Sequence, residues 1–279
     1  MKKALIKLLF VCIPALTVFI AFARLMQVDS AKTNIEDLKS ALQIDQNDTE
    51  AKWLFKEVRQ NDDKEMNDIY DQAIENFSAV LKIEPDDYQT LFNRGNVYNL
   101  KGNYDKAIED FSAAIKIKPD YQRALFNRGN VYNVKGNFDM AIEDYTAALK
   151  IKPDDYEALY GRGLAYNLKD RYNLKGNFDK AIEDYTAAIK IKPDYQSALR
   201  SRGNVYSLKG NYDKAIEDYN AVLKIRPDDY KALYERGAAY YLKGNYYKAI
   251  NDLEAGLKIN PNDTDAKELL EKIRKKKRV

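Results

Sequence analysis

From Tyr88 onward, apolar and small residues fall at helical spacing in short bursts. Leu91, Gly95 and Tyr98 stand at i, i+4 and i+7, and Ala107, Phe111 and Ala114 repeat that spacing one stretch later. Polar Lys101-Gly102-Asn103 separates them, with Gly102 suited to the left-handed position that ends a helix. Asp105 then stands where a carboxylate caps or charge-stabilises the next helix start. Lys116-Ile117-Lys118-Pro119 closes the second burst with cations and a residue that cannot continue a helix. The pattern predicts a hairpin of two short helices.

The hairpin recurs. Pro85, Pro119, Pro153, Pro193, Pro227 and Pro261 lie at intervals of 34, 34, 40, 34 and 34 residues, and Asn93–Asp110 is nearly copied at Asn127–Asp144. A fixed period of this size means one supersecondary unit stacked on itself, with an extended surface in place of a closed pocket. Gly95 and Ala107 let the paired helices approach, and Tyr98 and Phe111 fill the wider gaps. The same positions return as Gly129, Tyr132, Ala141 and Tyr145, then as Gly203, Tyr206, Ala215 and Tyr219.

Four segments follow. Residues 1–23 are a signal peptide or signal anchor, residues 24–87 atypical N-terminal helices and a degenerate first repeat, residues 88–263 five repeat units, and residues 264–279 a capping helix with a basic tail. The fourth unit, Tyr156–Tyr195, carries six extra residues, a near duplication of Tyr166–Arg171 in Tyr172–Asn177. Six residues do not fit the helical phase, so either the first helix overshoots or the turn becomes a loop.

The N-terminal segment places Lys2, Lys3 and Lys7 before an uncharged run, Leu8–Ala23, that ends in Ala21-Phe22-Ala23. That order reads as an export segment, and the lysines keep the remainder outside the cytoplasm: periplasmic, secreted or membrane-anchored facing outward. Val11 before Cys12 argues against a lipoprotein site.

Composition narrows the chemistry. The chain has no His, and Cys12 is its one Cys, so the repeats lack imidazole and thiol chemistry and most zinc sites. The net charge of +3 equals the three N-terminal lysines, which leaves a balanced body without the basic footprint of a nucleic-acid binder. No cofactor, metal site or catalytic residue is expected. Glu109-Asp110, Glu143-Asp144, Glu183-Asp184 and Glu217-Asp218, with Lys106, Lys180 and Lys214 four residues before an Asp, read as a solvated ion-pair face. Lys272–Arg278 holds six cations, suited to a helix C-terminus or to an anionic surface.

The Gly, Tyr, Ala, Phe and Pro positions resemble the tetratricopeptide repeat over roughly residues 35–274, most closely from Tyr88 to Asp263. Leu91 and its equivalents replace that family's Trp. Arg94, Arg128, Arg162, Arg202 and Arg236 replace its Leu, and their stems are expected to lie along apolar surface. The resemblance implies an all-α, right-handed superhelical solenoid, a non-enzymatic scaffold whose first helices line a concave groove. With each proline as position 32, groove positions 5, 6, 9 and 12 carry Phe92, Asn93, Asn96, Asn99, Phe126, Asn127, Asn130, Asn133, Tyr160, Asn167, Arg200, Asn204, Tyr234 and Tyr241.

An amide both donates and accepts, so a row of asparagines can hold a peptide backbone. The row resembles the asparagine ladder in the repeat domain of O-linked N-acetylglucosamine transferase. The alternative is that these asparagines are merely solvated. The family's clamp for acidic tails needs Lys at position 5, where only Arg200 is cationic and Glu235 opposes a carboxylate. The expected partner is a protein or peptide, with membrane contact through residues 1–23. The competing reading is an envelope-surface adaptor that docks through the basic tail and the second-helix face, with nothing in the groove.

Overall fold

The computed structural model describes residues 67–171 and 177–276. The chain divides into two compact units, Met1–Asp68 and Ile69–Val279, and all the described residues but Asn67 and Asp68 belong to the second. The export segment therefore lies outside the described residues, as do the atypical N-terminal helices expected after it, up to residue 66.

Among the described residues the structure is all helix. Helix α1 covers residues 67–83. It is followed by α2 (Tyr88–Leu100), α3 (Tyr104–Ile117), α4 (Gln122–Val134), α5 (Phe138–Ile151), α6 (Tyr156–Arg171), α7 (Phe178–Ile191), α8 (Gln196–Leu208), α9 (Tyr212–Ile225), α10 (Tyr230–Leu242), α11 (Tyr246–Ile259) and α12 (Thr264–Lys276). Even-numbered helices up to α10 are the first helices of five hairpins, and the following odd-numbered helices are their partners.

Four of the five hairpins close at the glycine the sequence predicts, Gly102, Gly136, Gly210 and Gly244, and the turn of the fourth unit lies outside the described residues. Gly102 ends the α2 turn at φ 76°, a conformation open to glycine at little cost. At Gly95 an added Cβ would sit 2.8 Å from the Phe111 ring, so glycine is what lets α2 and α3 meet. The core of each hairpin is the Ala and aromatic set: Ala107, Phe111 and Ala114, then Ala141, Tyr145 and Ala148, are fully buried. Asn103, not Asp105, is the residue before α3; Asp105 lies in the first turn, where it pairs with Lys135 of the next unit.

The linkers alternate between two kinds from α2 to α10, and the last one, before α12, repeats the aspartate kind. Asp87, Asp155, Asp229 and Asp263 precede a first helix and accept from its first-turn amides. Tyr121 and Tyr195 occupy the same position in the other linkers and make no side-chain cap. They stack edge-on against Tyr88 and Tyr156, each pair at 5.1 Å.

The inserted residues leave the stack in register. Helix α6 overshoots to Arg171, three residues past the regular end at Leu168, as the first of the two expected outcomes has it, and residues 172–176 of the turn lie outside the described residues. Lys169 still pairs with Asp139, as Lys135 does with Asp105, and Lys209 with Asp179 after the insertion.

The arginines correct the sequence reading. Arg94, Arg128, Arg162, Arg202 and Arg236 each grip both oxygens of an aspartate on their own second helix: Asp110, Asp144, Asp184, Asp218 and Asp252, at 2.7–3.0 Å. Those aspartates are buried, so the predicted solvated face holds only for the glutamates beside them. The remaining arginine nitrogen donates to Ser78, Ser112, Thr146, Thr186 or Asn220 on the previous second helix. One guanidinium thus ties three helices. The lysines expected to pair with these aspartates do something else: Lys106, Lys180 and Lys214 lie 5.3 Å above the rings of Tyr98, Tyr166 and Tyr206.

The stack ends at α12. Ala266, Leu270 and Ile273 pack on the last hairpin, and the positions that carry Leu91 and Gly95 in α2 carry exposed Lys267 and Glu271 here. A further second helix would find a polar face.

Candidate functional site

Consecutive first helices touch one another from α2 to α12, and consecutive second helices do not approach to that extent. The first helices therefore form the inner wall. Its exposed residues include Gln89, Arg123, Glu157, Ser197 and Lys231, one from the first turn of each first helix.

The predicted aromatic positions support this wall more than they project from it. Phe92 is 2% exposed, pressed against Phe111 and Tyr121 at 5.8 and 5.0 Å and covered by Arg123, so it is a core residue and not a contact residue. Phe126 and Tyr160 are half-buried beside Tyr145 and Tyr185. Tyr241 is half-buried between Tyr246 and Lys272. Tyr234, also half-buried, lines a cleft.

Several of the asparagines are engaged by the chain itself. Asn127 donates to Asn96 at 2.6 Å across two units. Asn130 and Asn204 accept from the hydroxyls of Tyr145 and Tyr219, each at 2.6 Å. Unit four has Leu164 in that place, and the buried Tyr185 hydroxyl meets no partner in hydrogen-bonding geometry among the described residues, with Asn167 and Ser201 near it. Asn167 is buried, which removes it from the contact surface. Asn93, Asn99 and Asn133 remain half-buried on the wall.

Between the last two hairpins the wall changes character. Arg200 replaces the aromatic residue and donates to Asp229 at 3.2 Å, with its Nε 3.9 Å from Glu235. Asn204 donates to the other Glu235 oxygen at 3.2 Å. Burial raises the Glu235 carboxyl to about 7, against the pull of Asn204 and Arg200, so its charge changes near neutrality. Beyond it an open cleft of about 400 Å³ lies between α10 and the start of α12. The sequence pattern singled out Tyr234 and Glu235 here; it gave no sign of the cleft, which is formed with Asn260 and Asp263 from the linker.

Residues 95–134, 170–210 and 203–244 match the family described as TPR repeat. Residues 123–155 and 230–263, and with a further profile residues 69–109, match the family described as Tetratricopeptide repeat. No curated protein matches the chain. Among solved structures, the MamA protein is 27% identical, with a TM-score of 0.57 over 62% of this chain and 92% of that one. YrrB, described as a TPR protein with an unusual peptide-binding site, is 21% identical, with a TM-score of 0.59 over 69% of this chain and 96% of that one. MamA from Desulfovibrio magneticus RS-1 is 20% identical, with a TM-score of 0.54 over 63% of this chain and 95% of that one. The last two likenesses concern the fold alone.

Proposed function

The chain belongs to the tetratricopeptide repeat family, and from that premise we propose that it is a non-enzymatic scaffold, exported or membrane-anchored, that holds a protein or peptide against its inner wall. The observation that carries this reading is the continuous wall of touching first helices from α2 to α12, which presents Arg123, Glu157, Ser197 and Lys231 to solvent in a row and ends in an open cleft. Such a surface offers many shallow contacts to an extended partner. Solved TPR neighbours include one described by its peptide-binding site, which agrees with this use of the fold.

The test is quantitative crosslinking of the full chain in its native cells. Reversing two wall charges, Arg123→Glu with Glu157→Lys, is expected to cut recovery of the bound partner. Reversing exposed Glu143 and Glu183 on the second helices is expected to leave recovery unchanged. The opposite result would favour docking through the second-helix face. Export is checked separately, by sequencing the N-terminal peptide of the mature chain: a start near residue 24 means cleavage, and an intact Met1 in the membrane fraction means an anchor.

A further inference from the structure

The linkers between units carry a recurring cation. Lys118 lies 4.8 Å from the Tyr88 ring centre and 5.8 Å from that of Tyr121. Lys192 repeats this with Tyr156 and Tyr195, at 4.7 and 5.5 Å. In the other two linkers the equivalent cation meets a carboxylate: Lys152 with Asp155 at 3.8 Å, and Arg226 with Asp229 at 3.1 Å. Each linker from the second unit to the fifth thus seats an ammonium or guanidinium on a tyrosine ring or an aspartate.

The linker after α11 keeps both kinds of receptor and lacks the cation. Tyr230 stands where Tyr88 and Tyr156 stand, Asp263 stands where Asp155 and Asp229 stand, and Asn260 replaces the Lys or Arg. All three line the cleft of about 400 Å³. Asp263 caps α12 with Oδ1, as Asp229 caps α10. The second oxygen of Asp229 accepts from Arg226 and Arg200, whereas the second oxygen of Asp263 meets no donor among the described residues. The surroundings are negative: the Tyr234 phenol is pushed up by burial and then by Asp265, Asp263, Glu235 and Glu268. Lys231 is the one cation among the lining residues, and it is exposed. A tyrosine face beside an unpaired carboxylate attracts a cation through the ring quadrupole and through direct charge.

We propose that this cleft receives the lysine or arginine side chain of a bound polypeptide, in the place that the chain's own cation fills in the preceding linkers. The assignment rests on the reading that the inner wall holds a polypeptide, and it specifies a basic residue at the α12 end.

The experiment measures fluorescence anisotropy of labelled hexalysine and hexaglutamate peptides with the full chain. Asn260→Lys restores the cation found in the other linkers, so it preserves the fold while filling the cleft; its thermal midpoint should equal or exceed that of the wild type. The wild type is expected to bind hexalysine in preference to hexaglutamate, and Asn260→Lys and Asp265→Asn to weaken hexalysine at least about tenfold. Asn251→Lys adds the same charge at an exposed second-helix position and should leave binding near the wild-type value. Hexalysine binding that Asn260→Lys does not change, or that Asn251→Lys weakens equally, overturns the assignment. If Arg123→Glu with Glu157→Lys releases the cellular partner while Asn260→Lys has no effect on hexalysine, the cleft assignment falls and the wall reading stands. If the wall variant keeps its partner while Asn260→Lys expels hexalysine, the wall reading falls and the cation site stands.

Discussion

Arg128 donates to both oxygens of Asp144, and the carboxylate it neutralises is 4% exposed. The hydrogen bond to Asp144 holds the Arg128 guanidinium charged against the cost of its burial. Arg128→Ala leaves a buried carboxylate without its partner, and the expected loss is about 3 kcal/mol in urea denaturation. Lys135→Ala breaks an ion pair whose Asp105 partner is 81% exposed, and less than about 1 kcal/mol should follow. Equal losses would contradict the assignment of the arginine as the tie. Glu235 gives a pH-dependent counterpart. Its folded carboxyl is raised above its ordinary value of 4.5 to about 7, so protonation favours the folded state. Its contribution is complete below pH 4.5 and is lost as pH rises through 7. At pH 9 the Glu235→Gln variant is therefore expected to exceed the wild type by up to about 3 kcal/mol. At pH 4 the two should match. Arg200, Asn204, Asp229 and Lys231 face this carboxyl in both cases.

At the scale of the element, the hairpin tolerates an insertion in its turn because its contacts lie elsewhere. Arg162 reaches Asp184 across 22 residues where the regular units span 16, and the geometry of the grip is unchanged. Deleting Asp170–Lys175 joins Lys169 to Gly176 and regenerates the regular turn sequence. The deletion variant is expected to fold with its helix content by circular dichroism lowered only by the overshoot of α6 and a thermal midpoint at or above that of the wild type, since a shorter connection costs less entropy to close. A large drop would assign the inserted residues a structural role. The alternation of aspartate caps with stacked tyrosines is also an element-scale device. From α2 to α10 one linker satisfies the amides of a helix start and the next stacks rings, and the linker before α12 breaks the alternation with a second consecutive aspartate.

Across the whole stack, each unit touches its neighbours, and damage should spread by proximity. At Gly129 an added Cβ would stand 3.0 Å from the Tyr145 ring, so Gly129→Leu forces α4 and α5 apart at a cost of about 1–3 kcal/mol. Hydrogen exchange should show lost protection first in α4 and α5, then in α3 and α6, with α10 and α11 least affected. Uniform loss from α2 to α12 would mean that the stack unfolds as one cooperative block. The arginine ties favour graded spreading, because each one reaches back only to the previous second helix.

Local chemistry written at fixed spacing was enough to determine the hairpins, the described turns and the close approach at Gly95, whereas the wall of first helices was expected only from the family resemblance. The former depend on helical periodicity and on residues whose backbone needs are their own. The partners of the arginines, the engagement of Asn96, Asn127, Asn130 and Asn204, and the burial of Phe92 were decided by tertiary structure. Each depends on which side chain a neighbouring unit brings within 3 Å or against a ring, a distance set by how the units stack and absent from the order of residues in any one of them. The cleft beside Asn260 shows the same division. The missing cation is visible in the sequence, but only the stack makes its absence an open space between a tyrosine ring and a carboxylate.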